Sequence, residues 1–488
     1  MDQQRFLPDR ELTFADAFIM PARSAVHSRH SVDLRTDDGT GTHVPIVAAN
    51  MNAVSGRRMA ETLARRGALA ILPQDLPDEA VCDAIRWVKS RHVRFDTPVT
   101  VPPDRPASAI AAHMDLRAHQ AVVVVEGNRA VGVVTAAALA AADPRHTAEQ
   151  IMSAPLLQTE DIDPARALTA LDEADAELAV IVDTAGALAG VLTARQALRS
   201  MLYQPALDRQ GRLRVGAALG LNGDPGLRTK RLIDAGADVL VLDTAHGHQE
   251  RMIEAVSAVR EMLSQLAPEV VLVAGNVVTA EGVRDLVQAG ADIVKVGIGP
   301  GAMCTTRMMT GVGRPQFSAV LECARAAREI SAHVWSDGGC RHPRDVALAI
   351  AAGASNVMIG SMFAATHESP GQLRRDAAGR GFKENFGMAS RRAAANRFAT
   401  LLPAERARRL VFEEGVSDAK AYLRPDRPGA EDVLDEITAG LRSTLSYVGA
   451  RSLPEYRARV DVRVQTSAGY LEGRPLESDP AATTMPIR

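Results

Sequence analysis

Cys304 closes the run Ile298-Gly299-Pro300-Gly301-Ala302-Met303-Cys304-Thr305-Thr306-Arg307, and the apolar segment Asp292-Ile293-Val294-Lys295-Val296 leads straight into it. A strand that empties into a glycine-rich loop lets backbone approach a ligand closely, because glycine has no Cβ to block it. A cysteine presented there can attack a bound electrophile, and Thr306, two residues on, can manage a proton. By spacing alone, an ordinary buried cysteine is an equal reading. The surrounding elements bear on that choice.

Eight short apolar runs end in glycine or polar residues: 44–48, 68–72, 213–217, 238–242, 270–274, 292–296, 333–335 and 356–359. Alanine-rich helical stretches such as 282–288 and 344–352 separate them. Strand–helix alternation repeated eight times predicts an α/β fold of the (β/α)8 TIM-barrel kind, with chemistry on the loops after the strands. Those ends carry Asn50-Met51-Asn52, Asp243-Thr244-Ala245-His246, Gly275-Asn276, Gly299-Pro300-Gly301, Asp337-Gly338-Gly339 and Gly360-Ser361. A doubly wound sheet would want a G-x-G-x-x-G turn after its first strand, and the chain has none.

The bulk numbers agree with a soluble enzyme. The 488 residues are 46% hydrophobic but only 3% aromatic, so Ala, Val and Leu must carry the burial. A formal charge of −3 argues against nucleic-acid or membrane-surface partners. Cys82, Cys304, Cys323 and Cys340 show no C-x-x-C pair, which predicts reduced thiols and a cytoplasmic protein. There is no apolar signal core and no run of 18 apolar residues.

Between the second and third strands the alternation breaks. Val122-Val123-Val124-Val125, Glu126-Gly127-Asn128 and Gly132-Val133-Val134-Thr135 make one unit. Leu178-Ala179-Val180-Ile181-Val182, Asp183-Thr184-Ala185-Gly186 and Gly190-Val191-Leu192-Thr193 make a second. Strand, tight turn, strand and a Thr at a helix start, twice over, predict a tandem repeat inserted after the second barrel strand. The expected organisation is barrel over 1–94, insertion over 95–205 and barrel over 206–488. Within the last part, residues 383–415 are polar and crowded with Arg391, Arg392, Arg397, Arg406, Arg408 and Arg409. They predict either a solvated surface helix or a lid.

The inserted units resemble a pair of CBS modules, and the barrel with Cys304 in this loop resembles the IMP dehydrogenase and GMP reductase family. The likeness runs from Leu12-Thr13-Phe14 to Thr466-Ser467-Ala468-Gly469. It implies a covalent bond from Cys304 to C2 of a purine nucleotide, GMP or IMP, with hydride exchanged between C2 and a nicotinamide. It implies that Asp337 holds the ribose hydroxyls and that the Gly339, Gly360 and Ser361 amides hold the 5′-phosphate, with Gly387 and Met388 also on the substrate. Asp243 and Asn276 would lie by the nicotinamide. The Gly299, Gly301 and Cys304 carbonyls would hold K+. Two phosphate contacts of the family are altered: Ala302 replaces a serine and Asn385 a tyrosine. The CBS likeness implies ATP or GTP as effector, but the ribose-holding Asp of that module is replaced by Ala138 and Gln196. Homotetramers, and octamers with nucleotide, are the implied assemblies.

Two branches of the family differ in chemistry. The dehydrogenases oxidise IMP with NAD and hydrolyse the intermediate with a flap Arg-Tyr pair; here Arg397 is present but Phe398 replaces the tyrosine. The reductases expel ammonia from GMP and reduce the intermediate with NADPH, relaying a proton through a Thr-Glu pair that Thr306 and Glu414 match. Asn50, Thr310 to Gly313, Ser318 to Ala324, Ser336 to Cys340, Leu441 to Thr444 and Tyr447 to Ala450 lean to the reductases. The CBS pair, the long flap, Asp243 to Gly247 and Glu414 to Val416 lean to the dehydrogenases. Pro73-Gln74 and Ala389 fit neither. The balance implies reductase chemistry on dehydrogenase architecture, as in an actinobacterial branch of the family, with IMP dehydrogenase as the alternative.

Overall fold

The computed structural model describes residues 10–221, 225–397, 401–411 and 415–474. Eight parallel strands close into one barrel: Ile46–Ala48, Leu69–Leu72, Gly216–Leu219, Val239–Asp243, Val271–Val277, Ile293–Val296, His333–Asp337 and Asn356–Ile359. These strands read as nearly continuous apolar runs because both faces are buried. Val47, Leu69, Ile71, Ala218, Val239, Val241, Val271, Val273, Ile293, Trp335 and Met358 fill the interior, while Leu240, Leu272, Val294 and Val334 pack outward against helices. Side chains alternate along a strand. The phase that points Val241, Ile293 and Trp335 inward therefore points Asp243, Lys295 and Asp337 inward as well, one step nearer the mouth.

The barrel expectation holds, with one shift of register. The apolar run at 213–217 contributes only its end to the third strand, Gly216–Leu219. Leu213 instead bridges Leu207 across a turn, and the Val215 amide donates to the Asp238 carboxylate at 2.8 Å. Both interactions bury the run without using it as barrel wall.

Under the strand N-termini, Asp38 plugs the barrel. Its carboxylate accepts from Trp335 Nε1 at 3.0 Å, Ser355 Oγ at 2.8 Å and Asn356 Nδ2 at 2.7 Å. Burial pushes this carboxyl up, but the bonds from Thr40, Trp335, Asn356 and Ser355 outweigh burial and hold it below its ordinary value.

After the second strand and the helix Asp78–Lys89 the two inserted units follow. The first pairs Thr100–Val101 parallel to Ala121–Glu126, which turns back antiparallel onto Arg129–Thr135. The second repeats the order with Leu156–Thr159, Ala179–Val182 and Leu188–Leu192. Thr135 and Thr193 cap the helices Ala136–Ala141 and Ala194–Leu202, as the repeated Thr predicted. The two sheets share a core of Ala121, Val123, Val133, Leu178, Val180 and Val191. Arg199 ties the second unit to the long helix Ala430–Val448, bonding Glu431 at 2.9 Å, Asp432 at 2.5 Å and Asp435 at 2.7 Å.

Beyond the last barrel strand, Arg374–Arg375, Gly381–Asn385 and Ala419–Tyr422 form an antiparallel sheet. The segment expected to start at Lys383 as a flap thus begins inside a strand, where Lys383 and Asn385 are buried. Two short helices follow, Arg391–Arg397 and Pro403–Arg409. Arg391, Arg406 and Arg408 are exposed, as a solvated face requires, whereas Arg397 turns inward. Phe398 and Glu414 lie outside the described residues, and so does the side chain of Arg409.

Replacing Asp38 by Ala removes the acceptor of five buried donors, the Thr40 amide and hydroxyl with Trp335, Ser355 and Asn356, and should cost about 3 kcal/mol of stability, read by chemical denaturation. The depressed carboxyl contributes stability that is present above pH ~4 and lost as pH falls through its folded value. The stability gap between the parent and Asp38→Asn should therefore narrow on acidification. A gap that widens below pH 4 would refute this account.

Candidate active site

One cavity of about 860 Å³ opens at the C-terminal ends of the barrel strands. Every sequence-predicted site residue among the described ones lines it: Cys304, Thr306, Asp337, Gly339, Gly360, Ser361, Gly387, Met388, Asp243, Asn276, Gly299 and Gly301. Glu414 lies outside the described residues, but its neighbour Gly415 lines the cavity and bridges Cys304. Ala302 lines it too, while Asn385, buried in its strand, does not.

Cys304 is exposed to the cavity and its thiol donates to Thr306 Oγ1 at 3.3 Å. Its amide donates to the Gly301 carbonyl at 3.1 Å, which turns the loop tightly enough to present the sulfur. Thr306 is buried at the start of the short helix Thr306–Thr310, so its hydroxyl is fixed beside the sulfur. The late segment completes the loop. The Val416 amide donates to the Met303 carbonyl at 3.0 Å and the Gly387 amide to the Val416 carbonyl at 2.9 Å. A Cβ on Gly387 would lie 2.7 Å from the Met303 carbonyl oxygen, so only glycine allows this approach.

Opposite the cysteine loop stands a charged cluster that sequence reasoning did not assemble. Lys295 Nζ, on a side chain only 2% exposed, contacts Asp243 at 2.7 Å and Asp337 at 2.6 Å. Burial opposes its charge, but the two carboxylates outweigh burial and raise its pKa. Asn50 Nδ2 donates to Asp243 at 2.7 Å, and Asn276 Nδ2 to Asp337 at 2.9 Å and to the Gly297 carbonyl at 2.6 Å. The signal was present: Lys295 is the one charged residue of its strand, on the inward phase. Both carboxylates keep acceptor capacity toward the cavity, which suits sugar hydroxyls.

Gly338 and Gly339 have φ of 89° and 85°, a left-handed pair that side chains resist. Successive amides in such a turn make an anion-holding concavity. Gly360 and Ser361 follow the eighth strand on the same rim, and a Cβ on Gly360 would meet Met51 Sδ at 3.0 Å. Across the mouth, Arg397 makes a two-pronged bond to Asp75, Nε at 2.7 Å and Nη2 at 3.0 Å, and Nη2 also donates to the Met388 carbonyl at 2.9 Å.

In the inserted units the side chain of Gln196 is already committed. It accepts from the Thr193 amide at 3.0 Å and donates to Asp96 at 3.0 Å.

A profile of the IMP dehydrogenase / GMP reductase domain matches residues 11–476. The chain belongs to this family. Within it, GMP reductase from Mycobacterium tuberculosis is 53% identical over 474 residues, 96% of this chain and 97% of that one. Inosine-5′-monophosphate dehydrogenase from Aquifex aeolicus is 36% identical over 476 residues, 94% of each. Among solved structures, a cysteine-to-alanine variant of GMP reductase from Trypanosoma brucei in complex with guanosine 5′-monophosphate superposes with a TM-score of 0.69 at 33% identity. It covers 98% of this chain and 100% of that one.

Breaking the buried cluster from its centre tests it. Lys295→Met leaves two carboxylates facing each other without a cation and should cost about 3–5 kcal/mol. GMP affinity should fall by about 100-fold or more. Adding Asp243→Asn should recover part of the stability. A Lys295→Met protein as stable as the parent would show that the three charges are not coupled.

Proposed function

We propose that this protein is a GMP reductase: it converts GMP to IMP and ammonia through a covalent bond between Cys304 and purine C2. The observation that carries the reading is the Cys304–Thr306 contact, set in one cavity with the Asp337 carboxylate and the glycine amides. The greater identity to GMP reductases than to dehydrogenases supports the same branch. The Arg397–Asp75 bond supports it again. The bond and the donation to the Met388 carbonyl commit the guanidinium that a hydrolytic step would need.

In this mechanism Asp337 accepts from the ribose hydroxyls, and the amides of Gly339, Gly360 and Ser361 hold the 5′-phosphate. Gly387 and Met388 bound the base. Cys304 gives up its proton toward Thr306 and its sulfur bonds to C2. The exocyclic amine then leaves as ammonia, carrying a proton relayed by Thr306 with Glu414. What remains on the enzyme is a thioimidate. A reduced nicotinamide dinucleotide, NADPH, would be held beside Asp243 and Asn276 and would supply the hydride that C2 takes up; the C2–S bond then breaks, the electron pair returning to the Cys304 sulfur, and IMP departs. Asp243 and Asn276 orient the nicotinamide side, and the cavity has room for both molecules. The donor set of the cysteine loop, the neutral carbonyls of Gly299, Gly301 and Cys304, fits a weakly hydrated monovalent cation such as K+. NAD-dependent oxidation of IMP is the reading that the flap Arg397 would favour if Asp75 released it.

The tandem units from about 95 to 205 are proposed as a CBS module that regulates the barrel on either side, with ATP or GTP as effector. The commitment of Gln196 to Thr193 and Asp96 leaves any nucleotide there to other contacts. Homotetramers, and octamers with nucleotide, are the proposed assemblies. A cytoplasmic location is proposed with them; among the described residues no helix is long and apolar enough to cross a membrane.

Absorbance at 340 nm tests the branch: GMP with NADPH should lose signal, and IMP with NAD should gain little. Cys304→Ala should abolish turnover yet keep GMP binding within roughly tenfold, since ground-state contacts survive. Substantial residual kcat would sink the covalent step. Glu414→Gln should lower kcat by about 10²–10⁴-fold, with Arg397→Ala much milder. A burst of NADH from IMP in Arg397→Ala, with no ammonia from GMP in the parent, would assign the protein to the dehydrogenases.

A further inference from the structure

We infer that Arg251 and Arg228 form the phosphate-reading end of this cavity, distinguishing a dinucleotide with a 2′-phosphate on its adenosine ribose from one without it. The inference rests on the reading that a nicotinamide dinucleotide enters the cavity. Around the rim, Cys304, Asp337 and Gly360 follow the sixth, seventh and eighth strands, and Asn276 and Asp243 belong to the fifth and fourth. The wall then continues past the proposed nucleotide and nicotinamide sectors, to Gly220, Leu221 and Arg228 after the third strand and Arg251 after the fourth. A cavity of about 860 Å³ is at the upper end for one ligand, and this extension is part of its wall.

The chemistry of the extension is cationic. Arg251 is exposed in the first turn of the helix Glu250–Leu266 and donates to the Leu221 carbonyl. It has no carboxylate partner among the described residues. Arg228, in the helix Pro225–Ala235, has Nε 3.4 Å from Asp78, whose other oxygen takes Arg231 at 3.1 Å. Among the described residues Arg228 Nε and Nη2 have no hydrogen-bond partner, and neither has Gln74 Oε1 on the same wall. Arg231 also lies 3.8 Å from Glu79, and Asp75, the carboxylate among the described wall residues of this sector, is already bound by Arg397. Glu250 is beside Arg251 on the helix but is not part of the cavity wall. Among the described residues the wall here carries two guanidinium groups, Arg228 and Arg251, and no carboxylate that is not already bound, and guanidinium forks match phosphate oxygens in shape and charge. A pyrophosphate would lie nearer Asp243, which holds the nicotinamide side. The arginines stand beyond it, where the adenosine ribose falls.

Equilibrium titration with 2′,5′-ADP and 5′-AMP, neither of which turns over, isolates this end. The parent should bind 2′,5′-ADP about 10–100-fold more tightly, the gain of one or two charged hydrogen bonds. Arg251→Gln should bring that ratio near one while GMP affinity moves less than about twofold. Arg228→Lys, which keeps the charge and packing stem, should retain part of the ratio and guards against a folding defect. In turnover, Arg251→Gln should raise KM for NADPH about 10–100-fold with KM for NADH nearly constant. Equal weakening of both probes, or an unchanged ratio in Arg251→Gln, would overturn the inference. A parent that shows the ratio yet consumes no GMP with NADPH would instead overturn the functional reading.

Discussion

The ammonium of Lys295 is the constraint on which the site depends. A lysine 2% exposed in a barrel strand is tolerable only if its charge is answered, and Asp337 answers it from the adjacent strand and Asp243 from the strand two places away on the other side. The converse is as important. Two carboxylates at the mouth of one barrel would repel each other without a cation between them. Three inward positions on three strands thus stabilise one another, and they do so in the layer where ligands must lie. If Asp337 faces the ribose and Asp243 the nicotinamide as proposed, one buried cation would set the distance between the two reactants.

The cysteine loop is positioned from the other direction. Its own sequence gives the turn, through the bond from the Cys304 amide to Gly301. Its outer edge is held by the segment past the last strand, through Met303, Val416 and Gly387. Arg397 fixes the same segment to Asp75 on the second-strand loop. Cys304, the proposed nucleophile, is therefore held by backbone pairing and by one ion pair. The two halves of the site are joined at the root of the loop, where the Gly297 carbonyl accepts from Asn276 of the cluster at 2.6 Å.

Most of the barrel was legible because buried parallel strands leave uninterrupted apolar runs, and seven of the eight appear where those runs stand. The third strand moved because apolarity records burial and not pairing: Leu213 is buried against a turn. The tandem units were legible from two Thr caps at matched positions. Cys304, Asp337 and the rim glycines could be read because they end strands. Lys295 could be quoted but not understood, since its partners are 52 residues before it and 42 after, and only barrel closure joins them. Asp75 and Arg397, 322 residues apart, were unreadable for the same reason. Glu414 lies outside the described residues, so its place in the relay rests on resemblance.

The second and third barrel strands are hydrogen-bonded neighbours, Ile71 beside Gly216 and Leu72 beside Ala217, although both inserted units lie between them in the chain. The barrel must therefore close a ring over a very long excursion. Chain statistics make that inexpensive: each doubling of a connecting loop adds only about 0.6 kcal/mol. An insertion that folds on its own core, as the shared Ala121–Val191 cluster allows, shortens the effective span further. What the excursion does change is time. Sequence-distant closures form late, so the seam between these two strands should zip after the pairs joined by a single helix, ahead only of the closure of the eighth strand on the first, Ile359 beside Ala48. The rim it carries, Gln74 to Pro77 and Gly220, would become competent only then.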